Sequence, residues 1–325
     1  MTLSVVIPTY NRRHVLGTAI DSALSQQGCG PVEVVVSDDR STDGTADWLA
    51  TTYAGRPVRV LTNQGMKGPA GGRNTGIRAA RGELVALLDS DDAFLPGHLA
   101  AAADVLRRFP DVDVVFGRAR YERNGVPEDY MGPNFDRKLA AAPAVQRDDQ
   151  VVVFGDGFFS HLLAYGCWFN LSTVVMRASA ARELMNEQLR ISEDYEFWVR
   201  LSRRHRFACL LQPQIRYTLH DENISFEADH QAAGHAPRLI QALQVMRGYP
   251  GMAASDLALI DRQMADILFD WAWRCRQAGN WRQAAGLHWQ SLRRGRLLDN
   301  LLALAKLPLL ALRRGSGPGT MAGQG

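Results

Sequence analysis

The chain of 325 residues is 46% hydrophobic and 22% charged, which is typical of a globular protein and excludes a disordered one. Its net charge of +3 is too small to bind a polyanion on charge alone, so we expect no nucleic-acid partner. There is no apolar run of about 18 residues and no basic region of a signal peptide at the start, and the four cysteines lack metal-ligand spacing. We therefore expect a cytoplasmic protein with free thiols.

Strands and helices alternate through the first 117 residues. Short apolar runs predict strands over Leu3–Pro8, Val32–Ser37, Val58–Leu61, Glu83–Leu88 and Val112–Phe116. Apolar residues at helical spacing predict helices over Arg12–Gln26, Thr45–Tyr53, Ala70–Ala80 and Pro96–Phe109. This alternation predicts an α/β fold in which helices cover both faces of a mostly parallel central sheet.

The alternation is lost between Arg118 and Gln150, which we expect to cross the sheet or to form a flexible loop. Four further strands are predicted, over Val151–Phe154, Ser172–Met176, Phe207–Leu211 and Ile215–Thr218. Two further helices are predicted, over Ala178–Glu187 and Asp194–Ser202. A helical C-terminal region follows over 226–314, and the glycine-rich residues 315–325 predict a disordered tail.

Polar clusters follow three of the predicted strands. Thr9 and Tyr10 follow the first, and acidic residues follow the second and the fourth. The acidic residues are Asp38, Asp39, Asp89, Asp91 and Asp92. An Asp pair after a strand is often a turn with a helix cap, but three carboxylates within four residues exceed that need. Because parallel strands bring these ends to one edge, we expect a shared cleft whose crowded carboxylates suit Mg²⁺ or Mn²⁺.

The segment Gly65–Gly72, GMKGPAGG, matches neither glycine-rich phosphate-binding motif. It instead predicts a flexible loop before a helix. Arg73 then stands in the first turn of that helix, where it reaches a phosphate or is simply solvated.

Five separated motifs together resemble the family 2 glycosyltransferases. They are VVIPTYNR, VVVSDDRSTDGT, GGRNTGI, LDSDD and SEDYEFWVRL, and they span residues 3 to about 225. The resemblance implies a GT-A catalytic domain over 1–225. Its nucleotide-sugar-binding half would cover about 1–117 and its acceptor-binding half about 118–225.

The resemblance also implies donor-binding roles. Thr9 and Tyr10 would line the nucleotide pocket, and Asp39 would accept a hydrogen bond from the base, with Asp38 supporting its turn. Arg73 would lie near the base or the phosphates. Asp89, Asp91 and Asp92 match the D-x-D region, in which one or two carboxylates hold the metal and another the ribose. One departure is Arg40, which stands where a glycine usually follows the Asp pair.

The implied reaction is an inverting, metal-dependent transfer from a nucleoside-diphosphate sugar, a UDP-sugar by preference. The resemblance assigns Asp194 as the base that activates an acceptor hydroxyl, and Glu193 is the alternative base. The structural alternative for Asp194 is a carboxylate that only caps the helix N-terminus. His220 would face the diphosphate or metal, unless it is a surface histidine. Trp198 is expected in the core, and Arg200 in a salt bridge.

The C-terminal region carries a basic, apolar sequence. Residues 271–314 contain nine basic residues and one acid, and 297–314 is apolar between arginines. This pattern predicts an interfacial helix on the inner face of the cell membrane. The expected acceptor is a glycan or a lipid-linked molecule, and a lipid-linked one would give such a helix a purpose. The alternative is a helix packed on its neighbours. Upstream, a helical hairpin packed on itself or on the catalytic domain is predicted by Trp271, Trp273, Trp281, Leu287 and Trp289.

Two other functions compete with the glycosyltransferase prediction. One is a catalytically inactive GT-A-like scaffold or binding module, which the complete set of acidic positions disfavours. The other is a nucleotidyltransferase, which would need a glycine-rich segment with a downstream Lys or Arg after the first strand. This chain reads PTYNRR there, which disfavours it. We therefore expect a glycosyltransferase that builds a surface polysaccharide or glycoconjugate.

Overall fold

The computed structural model describes residues 1–220 and 235–305. The chain divides into two compact units, Met1–Glu227 and Ala228–Gly325. The first unit is built on one sheet and the second on helices. The finer division of the first unit near residue 117 stays a prediction, and the expected tail at 315–325 lies outside the described residues.

The sheet of the first unit contains eleven strands. They are β1 Leu3–Thr9, β2 Val32–Asp38, β3 Val58–Thr62, β4 Leu84–Leu87, β5 Ala93–Phe94, β6 Val112–Arg123, β7 Val126–Glu128, β8 Ala144–Arg147, β9 Val151–Phe154, β10 Val175–Arg177 and β11 Arg206–Thr218.

The helices of the first unit are mostly short. They are α1 Arg13–Leu24, α2 Thr45–Thr52, α3 Pro69–Ala79, α4 His98–Arg108, α5 Gly132–Ala141, α6 Phe158–Tyr165, the 3₁₀ helix Leu171–Thr173, α7 Ala178–Ala181 and α8 Glu193–Leu201. The second unit contains α9 His235–Arg247, α10 Ala254–Gln277 and α11 Trp281–Leu292, and residues 297–305 are also helical.

The strand order is β3-β2-β1-β4-β10-β6-β11-β9-β8. Strands β3, β2, β1 and β4 are parallel, as the βα alternation predicted, so their carboxyl ends meet at one edge. Strand β10 is antiparallel to both β4 and β6, and β6 and β11 pair in parallel beyond it. The predicted α/β central sheet, followed by a helical C-terminal region, is confirmed.

The region 118–150 is folded, so the flexible-loop alternative was wrong. Strand β6 continues to Arg123 and is followed by β7, α5 and β8. The continuation is stabilised by β11, which pairs with β6 as far as Thr218 opposite Glu122. That partner is nearly a hundred residues away, and a local sequence pattern does not reveal it.

Two further predictions were wrong in detail. Phe207–Leu211 and Ile215–Thr218 form one strand, β11, whose register shifts on both sides of Pro213 because proline has no N–H for the ladder. The helix predicted over Ala178–Glu187 ends at Ala181. Leu184, three residues further on, adopts a left-handed φ of 56°, which no helix continues through.

The helical unit has a small core of its own. Leu268, Ala272 and Cys275 of α10 pack against Ala284 and Leu287 of α11, which confirms the predicted hairpin. Trp271 and Trp281 border this core. Trp273 and Trp289 do not, because their side chains are 51% and 55% exposed, so their predicted packing was wrong.

Glycine allows α3 to lie directly on β1. A Cβ at Gly76 would overlap Cγ1 of Val6, so only glycine permits this approach. Gly17 of α1 is the contrasting case, because a Cβ there would make an ordinary contact of 3.5 Å with Trp48.

We predict that Gly76→Ala lowers the free energy of unfolding by about 1–3 kcal/mol, because the added methyl group overpacks the contact between α3 and β1. Gly17→Ala is the matched control, and it should stabilise by up to about 1 kcal/mol through helix propensity. Urea denaturation followed by circular dichroism measures both. Equal stability of the two variants would contradict the packing described for α3.

Candidate active site

A cavity of about 380 Å³ lies at the carboxyl ends of β1, β2 and β4. It is lined by Pro8, Thr9, Tyr10, Arg12, Asp39, Lys67, Gly68, Pro69, Gly72, Arg73, Asp89, Ser90, Asp91, Arg190 and Tyr217. Six of the residues predicted for donor binding are among them. In an open α/β sheet this edge is the usual position of a ligand site.

The end of β1 contributes Thr9 and Tyr10. Thr9 Oγ1 is buried and has no hydrogen-bond partner in the part of the chain that the structure describes. A buried hydroxyl normally finds a partner, so this oxygen is available to a ligand in the cavity. Tyr10 is exposed, and Nζ of Lys67 lies 4.2 Å from the centre of its ring.

Asp39 is buried and held on both carboxylate oxygens. Asn63 Nδ2 donates to Oδ1 at 2.7 Å, and the Gly68 amide donates to Oδ2 at 2.8 Å. Asn63 is itself fixed, because its Oδ1 accepts from Thr75 Oγ1 at 2.9 Å. The Asp39 carboxylate is thus fixed in one orientation on the cavity wall.

Asp38 does not line the cavity. Its carboxylate accepts from the Ser41 amide at 3.1 Å and from the Ser41 hydroxyl, so it closes the turn after β2. Arg40 in that turn has a φ of 66°, a left-handed conformation that glycine adopts at little cost. The turn therefore keeps the backbone shape of a glycine at this position although the residue is arginine.

Arg73 is buried and joins two distant segments. Its Nη2 donates to Asp89 Oδ1 at 2.7 Å, and its Nη1 donates to Glu193 Oε1 at 2.9 Å. Burial opposes the charge of Arg73, but the two carboxylates outweigh it and raise its pKa. Arg73 thus connects the end of β4 to the first turn of α8.

The three carboxylates after β4 have different surroundings. Asp89 and Asp91 line the cavity, and Asp91 Oδ2 lies 3.1 Å from Nε2 of His220. Asp92 is buried outside the lining and accepts from Ser172 Oγ at 2.6 Å. Burial raises the pKa of Asp92, and the charges of Asp89 and Asp91 add to the rise.

The structure therefore does not bring Asp92 to the cavity as a ligand. Within residues 1–220 and 235–305, no group of three or more His, Cys, Asp or Glu side chains is arranged to hold a metal ion. Asp91 and His220 form a pair of potential ligands. An aspartate oxygen and an imidazole nitrogen suit Mn²⁺, and Mg²⁺ commonly takes one or two carboxylates together with substrate phosphates.

Glu193 and Asp194 begin α8. Ser192 before them has a left-handed φ of 61°, a strained conformation of the kind that often marks functional sites. Glu193 is buried against Arg73, while Asp194 is half-buried and accepts from the Tyr195 amide. Burial raises the pKa of both carboxyls, and Arg73 opposes the rise in both.

The later part of α8 is structural. Trp198 is fully buried, as expected for core packing. Arg200 Nε donates to Glu196 at 2.8 Å, which is the expected salt bridge.

Several cavity residues were not singled out from the sequence. Lys67, Arg190 and Tyr217 lie in segments that give no motif, and the sequence offered only the proximity of Lys67 to Arg73. Asn63 and Glu187 were missed as well, because their roles depend on partners in other segments.

The fold and the cavity define an α/β protein with the GT-A architecture. The structure resembles that of S. aureus TarS (residues 1–349) in complex with UDP-GlcNAc, with a TM-score of 0.61 and 20% sequence identity over 97% of this chain and 88% of that one. At this identity the likeness concerns the fold.

The sequence of residues 4–160 matches the model of glycosyl transferase family 2. That segment, a little under half of the chain, is similar in sequence to this family.

Two curated relatives share shorter segments. Succinoglycan biosynthesis protein ExoO of Rhizobium meliloti is 44% identical over 97 residues, which are 30% of this chain and 27% of that protein. A Campylobacter jejuni GalNAc(5)-diNAcBac-PP-undecaprenol beta-1,3-glucosyltransferase is 31% identical over 161 residues, 49% of this chain and 50% of that protein. The chain thus spans at most half the length of these two relatives.

Proposed function

We propose that this protein is an inverting glycosyltransferase that moves a sugar from a UDP-sugar to an acceptor hydroxyl in the synthesis of a surface polysaccharide or glycoconjugate. The observation that carries the proposal is the cavity, in which Asp39, Asp89 and Asp91 face one space beside Arg73 and Glu193. A binding module without catalysis would not require two acidic residues at the start of α8.

The donor base would contact Asp39. Asn63 and Gly68 hold its carboxylate, and each oxygen keeps a lone pair with which to accept from a base N–H. Thr9 Oγ1 is a buried hydroxyl without a hydrogen-bond partner among the described residues, and it would gain one when a nucleotide enters. Asp89, whose carboxylate accepts from Arg73, would accept from a ribose hydroxyl.

The divalent ion would bind between Asp91, His220 and the diphosphate. Asp91 lines the cavity and its Oδ2 lies 3.1 Å from Nε2 of His220, and the remaining ligands would come from phosphate and water. When bound, a divalent ion supplies Lewis-acid stabilisation of the negative charge that develops on the leaving diphosphate. Asp92 supports this region through Ser172.

Asp194 is the proposed base. Glu193 is committed to Arg73, whereas Asp194 has no such ion pair within the described residues and lies on the same helical turn. Asp194 would take the proton of the acceptor hydroxyl while that oxygen forms its bond to the anomeric carbon. The bond between that carbon and the diphosphate oxygen breaks, and its electrons leave with UDP. One displacement inverts the anomeric configuration.

The names of two relatives support the acceptor class that we propose. One is named for succinoglycan biosynthesis and the other for a glycosyl acceptor linked to undecaprenyl diphosphate. A glycan or lipid-linked acceptor is therefore the class we propose for this chain, at the inner face of the cell membrane.

Contact with that membrane would use the helix at 297–305. Its buried side is anchored by Asn300, which hydrogen-bonds His288 Nδ1 at 2.8 Å and Ser291 Oγ at 2.9 Å. Four leucines are left exposed on this helix: Leu297, Leu298, Leu301 and Leu302. With nine basic residues and one acid over 271–314, this surface suits an anionic bilayer.

No helix of the described residues is long and apolar enough to cross a membrane. The remainder of the predicted interfacial segment, 306–314, lies outside the described residues.

We predict that UDP binds with Mn²⁺ and that Asp39→Asn weakens this binding about 10–100-fold, because the base loses a charged acceptor. Calorimetric titration of UDP and GDP, each with Mn²⁺ or with EDTA, measures it. Asp91→Asn should remove the effect of Mn²⁺, while Asp104→Asn on the surface of α4 should behave as wild type. Absence of binding by any nucleotide would overturn the enzyme proposal, and preferential GDP binding would overturn the choice of uracil.

We predict that Asp194→Asn lowers the rate of UDP release from the donor about 10²–10⁴-fold, because the base is lost. In wild type the raised pKa of Asp194 places the acid limb of kcat/KM above the ordinary aspartate value of about 3.9. Activity should fall as pH drops through that raised value, since only the carboxylate accepts a proton. Hydrolysis of the UDP-sugar, with water as acceptor, gives the rate.

Glu193→Gln tests the alternative base. A larger loss in Glu193→Gln than in Asp194→Asn would reverse the assignment of the two carboxylates.

We predict that the protein sediments with vesicles of phosphatidylglycerol and phosphatidylcholine, and less so at high salt, which screens the arginines. Leu298→Glu should reduce sedimentation several-fold, because a charge enters the apolar face. Val126→Glu, at a side chain 63% exposed against 75% for Leu298, is the matched control in the other unit. Undiminished sedimentation of Leu298→Glu would refute the surface, and a concentration-dependent dimer without vesicle binding would assign it to a second copy.

A further inference from the structure

Two cations face the donor cavity without an ion pair among residues 1–220 and 235–305. They are Lys67, in the loop between β3 and α3, and Arg190, in the segment before α8. The lining has two other cations, Arg12 and Arg73, and Arg73 is already neutralised by Asp89 and Glu193. Lys67, whose Nζ lies 4.2 Å from the centre of the Tyr10 ring, and Arg190 are therefore positive charges at the cavity that no carboxylate of the described residues pairs with.

The same cavity presents three carboxylates: Asp39, Asp89 and Asp91. A diphosphate entering it meets this negative charge. Arg73 lies 2.7 Å from Asp89 and His220 lies 3.1 Å from Asp91, whereas Arg40 is 3.9 Å from Asp39. Cations on the wall would offset the repulsion, and charge-assisted hydrogen bonds to phosphate are among the stronger contacts a protein makes.

Glu187 holds the two cation-bearing segments together. Its Oε2 accepts from the Met66 amide at 2.7 Å, next to Lys67 in the chain. Its Oε1 accepts from Asn74 Nδ2 at 2.8 Å. Gly65 leaves room for this approach, because a Cβ there would lie 2.6 Å from Glu187 Oε2.

The segment that contains Glu187 is fixed a second time. Met185 donates from its amide to Asn74 Oδ1 at 2.8 Å and accepts from Asn74 Nδ2 at 2.9 Å. Arg190 follows three residues after Glu187 and precedes Glu193, which is bound to Arg73. Arg190 therefore lies between two anchored residues, Glu187 and Glu193, and reaches the cavity from a different segment of the chain than Lys67.

We propose that Lys67 and Arg190 bind the diphosphate of the donor from two separate segments and that Glu187 is the positioning residue that holds these segments in register. The inference rests on the proposed function, because it concerns the same donor site. It adds a diphosphate-binding role for side chains that carry no recognisable motif.

The test compares ligands that share a base and differ in phosphate. UDP and uridine are titrated calorimetrically into wild type, Arg190→Gln, Lys67→Gln and Glu187→Gln. Each cation variant should raise the Kd of UDP about tenfold and leave that of uridine unchanged, because one charge-assisted contact is lost. Arg182→Gln, an exposed arginine at the end of α7, is the control for Arg190, and Glu83→Gln, 66% exposed at its side chain, is the control for Glu187.

Glu187→Gln should raise the Kd of UDP about three- to tenfold while uridine binding and the thermal midpoint change little, because the amide has one acceptor oxygen for two donors, the Met66 amide and Asn74 Nδ2. A purely structural residue would weaken both ligands equally. Equal loss of UDP and uridine, or unchanged UDP binding in both cation variants, would overturn the inference while the donor proposal stands. Wild type that binds neither UDP nor GDP would overturn both.

Discussion

The site depends on one buried guanidinium. Arg73 donates to Asp89 at the end of β4 and to Glu193 at the start of α8, two positions more than a hundred residues apart in the chain. Loss of one partner from a buried ion pair typically costs about 3–5 kcal/mol, because a charge is left without compensation. This bridge therefore links the orientation of the Asp89 carboxylate to that of α8, the helix that bears the proposed base.

The glycines around Arg73 allow α3 to approach β1 closely. Gly72 and Gly76 bring α3 against β1, since a Cβ at Gly72 would lie 3.1 Å from that of Pro8 and one at Gly76 would overlap Val6. The close approach is what buries Arg73 beneath the cavity. The sequence matches neither phosphate-loop motif, and the flexible loop it predicted before the helix was wrong, because Asp39 and Glu187 hold that loop through the Gly68 and Met66 amides.

The sequence predicted the parts of the fold whose cause is local. Apolar runs and helical spacing located β1 to β4 with their helices, and parallel pairing then brought Asp39, Asp89 and Asp91 to one edge. The continuation of β6 and the single strand β11 depend on each other across the sheet, and α7 ends where Leu184 turns left-handed. No window of sequence contains those causes, which is why 118–150 was expected to be irregular.

Neighbouring acids of the same type acquire different roles through their partners. Asp91 and Asp92 are adjacent in one motif, but Asp92 is turned to Ser172 and buried, while Asp91 meets His220 at the cavity. Glu193 and Asp194 divide in the same way, since the guanidinium of Arg73 occupies Glu193. A motif therefore specifies that a carboxylate is needed at a strand end or helix start. Which member of the pair faces the ligand is decided by a donor from another segment, and that donor is visible only in the folded chain.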